Sequence, residues 1–192
     1  MTPAARKRRS VQLARNFYRS LPEIACPVDI RRIYRLMDWE LCLAAELKGK
    51  TEGVTFHYGG RYRTYLPQSS RLKTSGRLRF TLGHEIGHIV LGHFQDFRLE
   101  VSCCREIGHD LIEILNQEAN FFCSEFLMPS DQIRAHLRQG KKYLRNLFGV
   151  SEQALTYRLD NLGYGFLFDK QGEYIGHSKL VEEYAAVCLD EV

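Results

Sequence analysis

The stretch FTLGHEIGHIVLGH, residues 80–93, sets three histidines and a glutamate among apolar residues and carries three glycines. Read as a helix, it puts His84 and His88 one turn apart on the same side, where a single metal ion can take both imidazoles. Glu85, next to the first, is close enough to reach a water on that ion without ligating it. This is the His-Glu-x-x-His arrangement of zinc hydrolases. The bland alternative is a buried helix with satisfied histidines, so the surroundings must decide. Gly83 and Gly87 are also four apart, and each costs a helix interior roughly 1 kcal/mol relative to Ala. A bare stripe of this kind lets another element approach the backbone closely. Ile86, Ile89 and Val90 supply the face toward a core, which leaves the histidine pair on a flank bordering a cleft. Gly92 is expected to end the helix. His93 then lies opposite His84 or in a turn and is not expected to be a ligand. Leu91 and Phe94 stand where a metzincin carries Gly and His, which rejects that subclass.

A catalytic zinc needs three protein ligands and one position left for water. The following 35 residues offer His109, Glu106, Asp110, Glu113, Glu118, Glu125 and the pair Cys103, Cys104. The stretch IEILNQEANFFCSEFLMP, residues 112–129, has helix-forming composition and stops at Pro129. Glu118 is expected to project from this second helix, with Ala119 leaving room for the metal and Phe122 packing behind. Spacing prefers Glu118 to Glu113 only modestly, because both can face inward. Any single acid here can equally belong to a solvated helix face.

The segments RFTLGHEIGH and QEANFFCSEFLMP together resemble the ImmA/IrrE family of zinc metallopeptidases, whose members carry His-Glu-x-Gly-His and then a Glu-Ala-Asn segment ending in Leu-Met-Pro. The similarity runs from about Pro27, in CPVDIRRIYRLMDWEL, through VSEQALTYRLDNLGY. Gly83 departs mildly from the family, which often has a larger small residue there. The resemblance implies that His84, His88 and Glu118 are metal ligands, that Zn2+ is the cofactor and that Glu85 is the catalytic base. It also implies a protein substrate, since family members characterised as peptidases cut transcriptional repressors.

Around these residues the chain reads as α+β, a mainly helical zincin-like core with a small sheet and a C-terminal helix-turn-helix-like module. Residues 5–20 form a basic amphipathic helix within an N-terminal arm, residues 1–26. PVDIRRIYRLM opens a second helix near Pro27 and Asp29, at the start of a core spanning residues 27–129. GVTFHY and RYRTYL, joined by Gly59 and Gly60, form a hairpin over residues 53–66. An edge of that sheet beside the histidine helix suits an extended substrate peptide. Three short helices fill residues 130–163, with Ser151 placed as an N-cap and Leu155, Leu159 and Leu162 on one inward face. The would-be recognition helix begins with Glu152 and Gln153 and sets Asp160 against a single Arg158. That charge balance suits protein contact better than a phosphate-lined groove, so DNA is disfavoured as a partner. GFLFDKQGEYIGH makes a second hairpin in residues 164–192, turning about Gln171 and Gly172.

Composition excludes several classes. With 192 residues and 44% hydrophobic content the chain can bury one sizeable core. It has no run of eighteen apolar residues and no signal-like N-terminus, so a cytoplasmic address is expected. The six cysteines form no C-x-x-C pair and read as free thiols. The net charge of +4 is uneven. Arg6, Lys7, Arg8, Arg9, Arg15 and Arg19 crowd the start, whereas Glu182, Glu183, Asp190 and Glu191 make the end acidic. A basic arm can attract nucleic acid, but more often it is a solvated or frayed terminus.

Two functions follow. The first is a zinc endopeptidase, with Glu85 as general base, that cuts a helix-turn-helix repressor. The alternative is a non-catalytic zinc-containing regulator that binds DNA or protein through its C-terminal helices. Glu85 favours the first, because a structural zinc has no use for a base.

Overall fold

The computed structural model describes residues 5–22, 25–45, 47, 52–68, 75–102 and 108–176. Cys103, Cys104, Glu106 and the acidic C-terminal residues lie outside them. The chain divides into two compact units, Met1–Pro129 and Ser130–Val192.

The first unit is built on two helices whose surfaces are made to touch. Helices α3 (Ser75–Val90) and α5 (His109–Leu127) pack closely because α3 is bare at Gly83 and Gly87. A Cβ at Gly87 would meet the Ala119 backbone at 3.1 Å, and one at Gly83 would meet Cys123 Sγ at 2.8 Å. The glycine stripe therefore admits α5 rather than a ligand, and Ala119 is small for the same contact. Phe122 packs behind, fully buried. Gly87→Val forces two γ-carbons into backbone that cannot yield. We expect a loss of about 1–3 kcal/mol, seen as a Tm lowered by roughly 2–4 °C per kcal/mol. An unchanged melting curve would contradict this packing.

Helix α1 (Lys7–Ser20) lies on α5 and buries Ser10, Ala14 and Phe17, a stripe at helical spacing. Several basic residues of this segment are paired. Arg15 Nε donates to buried Glu125 at 2.9 Å, and Arg6, just before the helix, grips Glu118. The basic start of the chain is thus an ordered helix docked on acidic side chains, not a frayed arm. Helix α2 (Ile30–Leu36) begins where Asp29 accepts a hydrogen bond from the Arg32 N–H, the expected cap.

The sheet has three strands in the order β1–β3–β2. Strands β2 (Val54–Tyr58) and β3 (Arg61–Pro67) are the expected hairpin, and both glycines of its turn have positive φ. Strand β1 (Glu40–Ala44) pairs parallel to β3 and was not legible in the sequence. The outer edge of β2 is not open at Thr55 and His57: the His57 N–H donates to Glu100 O, and Thr55 O accepts from Ser102 N–H, both at 2.8 Å. That length of edge therefore does not hold a substrate strand as expected. Thr55 and Thr64 face the core, while Phe56, Arg63 and Tyr65 line a separate pocket of about 610 Å³ on the other face.

After α3, Gly92 adopts a left-handed conformation (φ 79°) and starts the one-turn helix α4 (His93–Asp96). His93 is therefore swung out of the line of α3 and buried.

The second unit contains α6 (Ser130–His136), α7 (Gly140–Phe148) and α8 (Glu152–Asn161). Ile133, Leu144, Phe148, Leu155 and Leu159 form its core. Gly149 closes α7 in the left-handed conformation, and Ser151 Oγ accepts from the Ala154 N–H to start α8. Arg158 is buried rather than solvent-facing, which leaves α8 still less basic outside than its sequence suggests. The expected last hairpin is reduced to a turn over residues 169–173 and one bridge, Phe168 to Tyr174. The architecture is mainly helical α+β.

Candidate active site

A cleft of about 300 Å³ lies between α3, α5 and the start of β2, lined by residues including Gly53, Thr81, His84, Glu85, His88, Ser102, Asn116 and Asn120. The structure brings His84, Glu85 and His88 together here. His84 Nε2 and His88 Nε2 lie 3.1 Å apart. Donor counting shows what that contact is. Glu118 Oε2 can only accept, so His93 Nε2, 3.2 Å away, carries a proton. Burial, opposed by Glu118, lowers the His93 pKa to about 4, so the ring is neutral near pH 7 and its Nδ1 is an acceptor. His88 Nδ1, at 3.0 Å, must donate to it. Burial first, then His84 and His93, push the His88 pKa well below the ordinary histidine range. His88 Nε2, the ring's other nitrogen, is left to face Asn116 and His84. On the other ring, His84 Nδ1 donates to Asn120 Oδ1 at 2.8 Å. His84 Nε2 is the nitrogen turned toward His88. Two imidazole nitrogens that face each other at this distance can both be taken by one cation.

Glu85 is 4% exposed, and the sheet holds it. Thr55 Oγ1 and Ser102 Oγ donate to its Oε2 at 2.7 and 3.0 Å. Thr64 Oγ1 lies 2.8 Å from Thr55 Oγ1 and receives the Tyr34 hydroxyl proton, so it donates onward to Thr55. Burial raises the Tyr34 pKa, which keeps that phenol a donor. The relay fixes one carboxylate oxygen and leaves Oε1 without a protein partner among the described residues.

Glu118 lies elsewhere. It accepts from Arg6 through the backbone N–H and Nε at Oε1, both at 2.8 Å, and through Nη2 at Oε2, at 2.9 Å. Burial works to raise the Glu118 carboxyl, but the Arg6 hydrogen bonds and charge, with His93, outweigh it and hold the carboxyl below its usual range. Glu118 thus stands behind His88, joined to it through His93. The cleft side of α5 is taken by Asn116 and Asn120, and the Asn116 side chain is hydrogen-bonded to the His88 imidazole. Of the other candidates, Asp110, Glu113 and His109 are exposed at the N-terminal end of α5, and Glu125 is paired with Arg15. Tyr62 and Tyr65 do not line the cleft. Among the described residues no three His, Cys, Asp or Glu side chains meet as a metal cage.

Sequence reasoning missed Asn116, Asn120, His93, Thr55, Ser102 and Arg6. One signal was available: Asn116 and Asn120 are four apart on α5, the same spacing that marks the histidines on α3.

A helix carrying His-Glu-x-x-His, laid on a second helix beside a small sheet, is the layout of a metallopeptidase-type domain. Residues 47–160 match the family Peptidase_M78, the IrrE N-terminal-like domain, and the chain belongs to that family. No curated protein sequence matches it. A Mycobacterium tuberculosis transcriptional regulator has a similar fold, with a TM-score of 0.57 at 12% identity over 79% of this chain. The match spans about half of that regulator, 47% of its length.

Proposed function

We propose that this protein hydrolyses a peptide bond in a protein partner, a helix-turn-helix repressor, with His84 and His88 holding a zinc ion and Glu85 acting as general base. The observation that carries this reading is the pair of imidazole Nε2 atoms 3.1 Å apart beside a buried carboxylate. Two nitrogens on one tetrahedral zinc sit about 3.3 Å apart, so the two imidazoles fit the ion. A neutral amide, Asn116, completes the cleft-side donors. Zinc bound there supplies a Lewis acid and a water whose pKa falls to about 7.

The chain's own residues do the rest. Among the described residues no Arg or Lys lines the cleft, and with Glu85 Oε2 tethered by Thr55 and Ser102, Oε1 is the oxygen left to act. Glu85 takes a proton at that oxygen and returns it to the leaving amine. Asn120 holds the His84 ring, and His93 holds the His88 ring, so neither imidazole has to reorient on loading.

The competing reading is a regulator without catalysis. It draws on the position of Glu118, which leaves the cleft short of a third anionic donor, and on the regulator of similar fold.

The partner reading rests on the family resemblance and on the second unit, whose helices the chemistry does not use. Docking there would raise the effective concentration of one exposed segment at the cleft. Arg138 and Lys142 are exposed in that unit and suit charge reversal, whereas buried Arg158 does not. Intact repressor is expected to be cut at one site, at least tenfold faster than a peptide spanning that site or unfolded casein, and Arg138→Glu with Lys142→Glu should remove that advantage. Equal digestion of casein, insensitive to both reversals, overturns the docking role.

A further inference from the structure

We propose that Asn116 occupies the third inner donor position of this metal site, and that Glu118 is a positioning residue acting on His88 through His93. The inference rests on the metal reading above and concerns which side chains surround the ion.

Helix geometry separates the two residues. Asn116 and Asn120 lie about 40° apart around α5, whereas Glu118 is about 160° from Asn116. The face of α5 is set by packing: Ala119 lies against Gly87 and Phe122 fills the core, both fully buried. With that face turned to α3, Asn116 and Asn120 border the cleft and Glu118 falls behind the His88 ring. Asn120 serves His84, and Asn116 contacts His88.

Glu118 is also occupied. Three hydrogen bonds from Arg6 and one from His93 use both of its oxygens. To reach the cleft it would have to abandon all four and pass the His88 ring. Where it stands it completes a chain, Arg6 to Glu118 to His93 to His88, that holds the His88 ring in place. A carboxylate at the end of such a chain makes the ligating imidazole a better donor.

The chemical consequence is a site one negative charge poorer than a two-histidine, one-carboxylate site. Asn116 offers a neutral amide oxygen, so the ion is held less tightly and keeps more positive charge toward its open position.

The test uses the full chain stripped of metal, titrated with Zn2+ by calorimetry and with Co2+ by visible absorption, with circular dichroism melts to confirm folding. Wild type is expected to bind one ion. Asn116→Glu should tighten zinc at least tenfold, Asn116→Ala should weaken it at least tenfold, and both should move the Co2+ band because an inner donor has changed. Glu118→Gln should weaken binding roughly 10–100-fold while leaving the band in place, as an outer residue does. Arg6→Gln, which loosens Glu118 without removing it, should act in the same direction and more mildly. A Co2+ band that moves with Glu118→Gln and is indifferent to both Asn116 variants overturns the assignment, while the metal reading stands. If wild type binds nothing and Asn116→Glu binds one ion, the position of Asn116 is upheld and the peptidase reading falls. If neither binds, both fall. Should Glu118→Gln fail to fold, the two Asn116 variants decide the question alone.

Discussion

Glu85→Gln is expected to lower cleavage of a repressor substrate by about 10²–10⁴-fold while leaving fold and metal content unchanged, the usual cost of losing a general base. The amide keeps the carboxylate's shape. Its oxygen can still accept from Thr55 and Ser102, which turns the NH2 group toward the cleft where Oε1 had been. An NH2 group cannot take a proton from water. Because Glu85 touches neither His84 nor His88 among the recorded hydrogen bonds, zinc retention should not fall with activity. Turnover on purified repressor, elemental analysis and a melting curve check the three parts. Unchanged turnover with full metal content would sink the mechanism and favour the regulator reading.

The parts of the fold that could be read from sequence are those carried by local periodicity. The spacing of His84 and His88, the apolar face of α3 and the Gly59–Gly60 turn each depend on a few neighbouring residues, and each holds in the structure. Strand β1 escaped because ELCLA is short, lacks turn signals and pairs in parallel with a strand more than twenty residues away. His93 escaped for a different reason. Continuing α3 puts it opposite His84, but one left-handed glycine brings its ring against His88.

The α5 residues show the limit most clearly. Residue type favoured an acid as third donor, and the resemblance carried that role to Glu118. Which face of α5 meets α3 depends on Gly87 and Ala119, two residues with no chemistry of their own. Arg158 is a similar case: a charge counted as solvent-facing is buried in the second unit.

Removal of either histidine is expected to cost the metal, but with different effects on the empty protein. His84→Ala and His88→Ala each leave one imidazole on α3, too few protein ligands for a catalytic zinc. Both should therefore purify with less than about one-tenth of an equivalent of zinc, a result of having too few donors left. Their stabilities should differ. His84 is partly exposed and touches Asn120 and the His88 ring, so apo His84→Ala should melt within about 1 °C of wild type, as surface changes usually do. His88 is 1% exposed and is the donor to His93 Nδ1. Its removal leaves a cavity and an unsatisfied buried acceptor, which costs about 1–3 kcal/mol for the lost partner alone. Apo His88→Ala should then melt several degrees lower, at roughly 2–4 °C per kcal/mol. Stoichiometric zinc in both variants would remove the histidine pair from the metal site. Equal melting temperatures would show instead that the Glu118–His93–His88 chain contributes nothing to the resting fold.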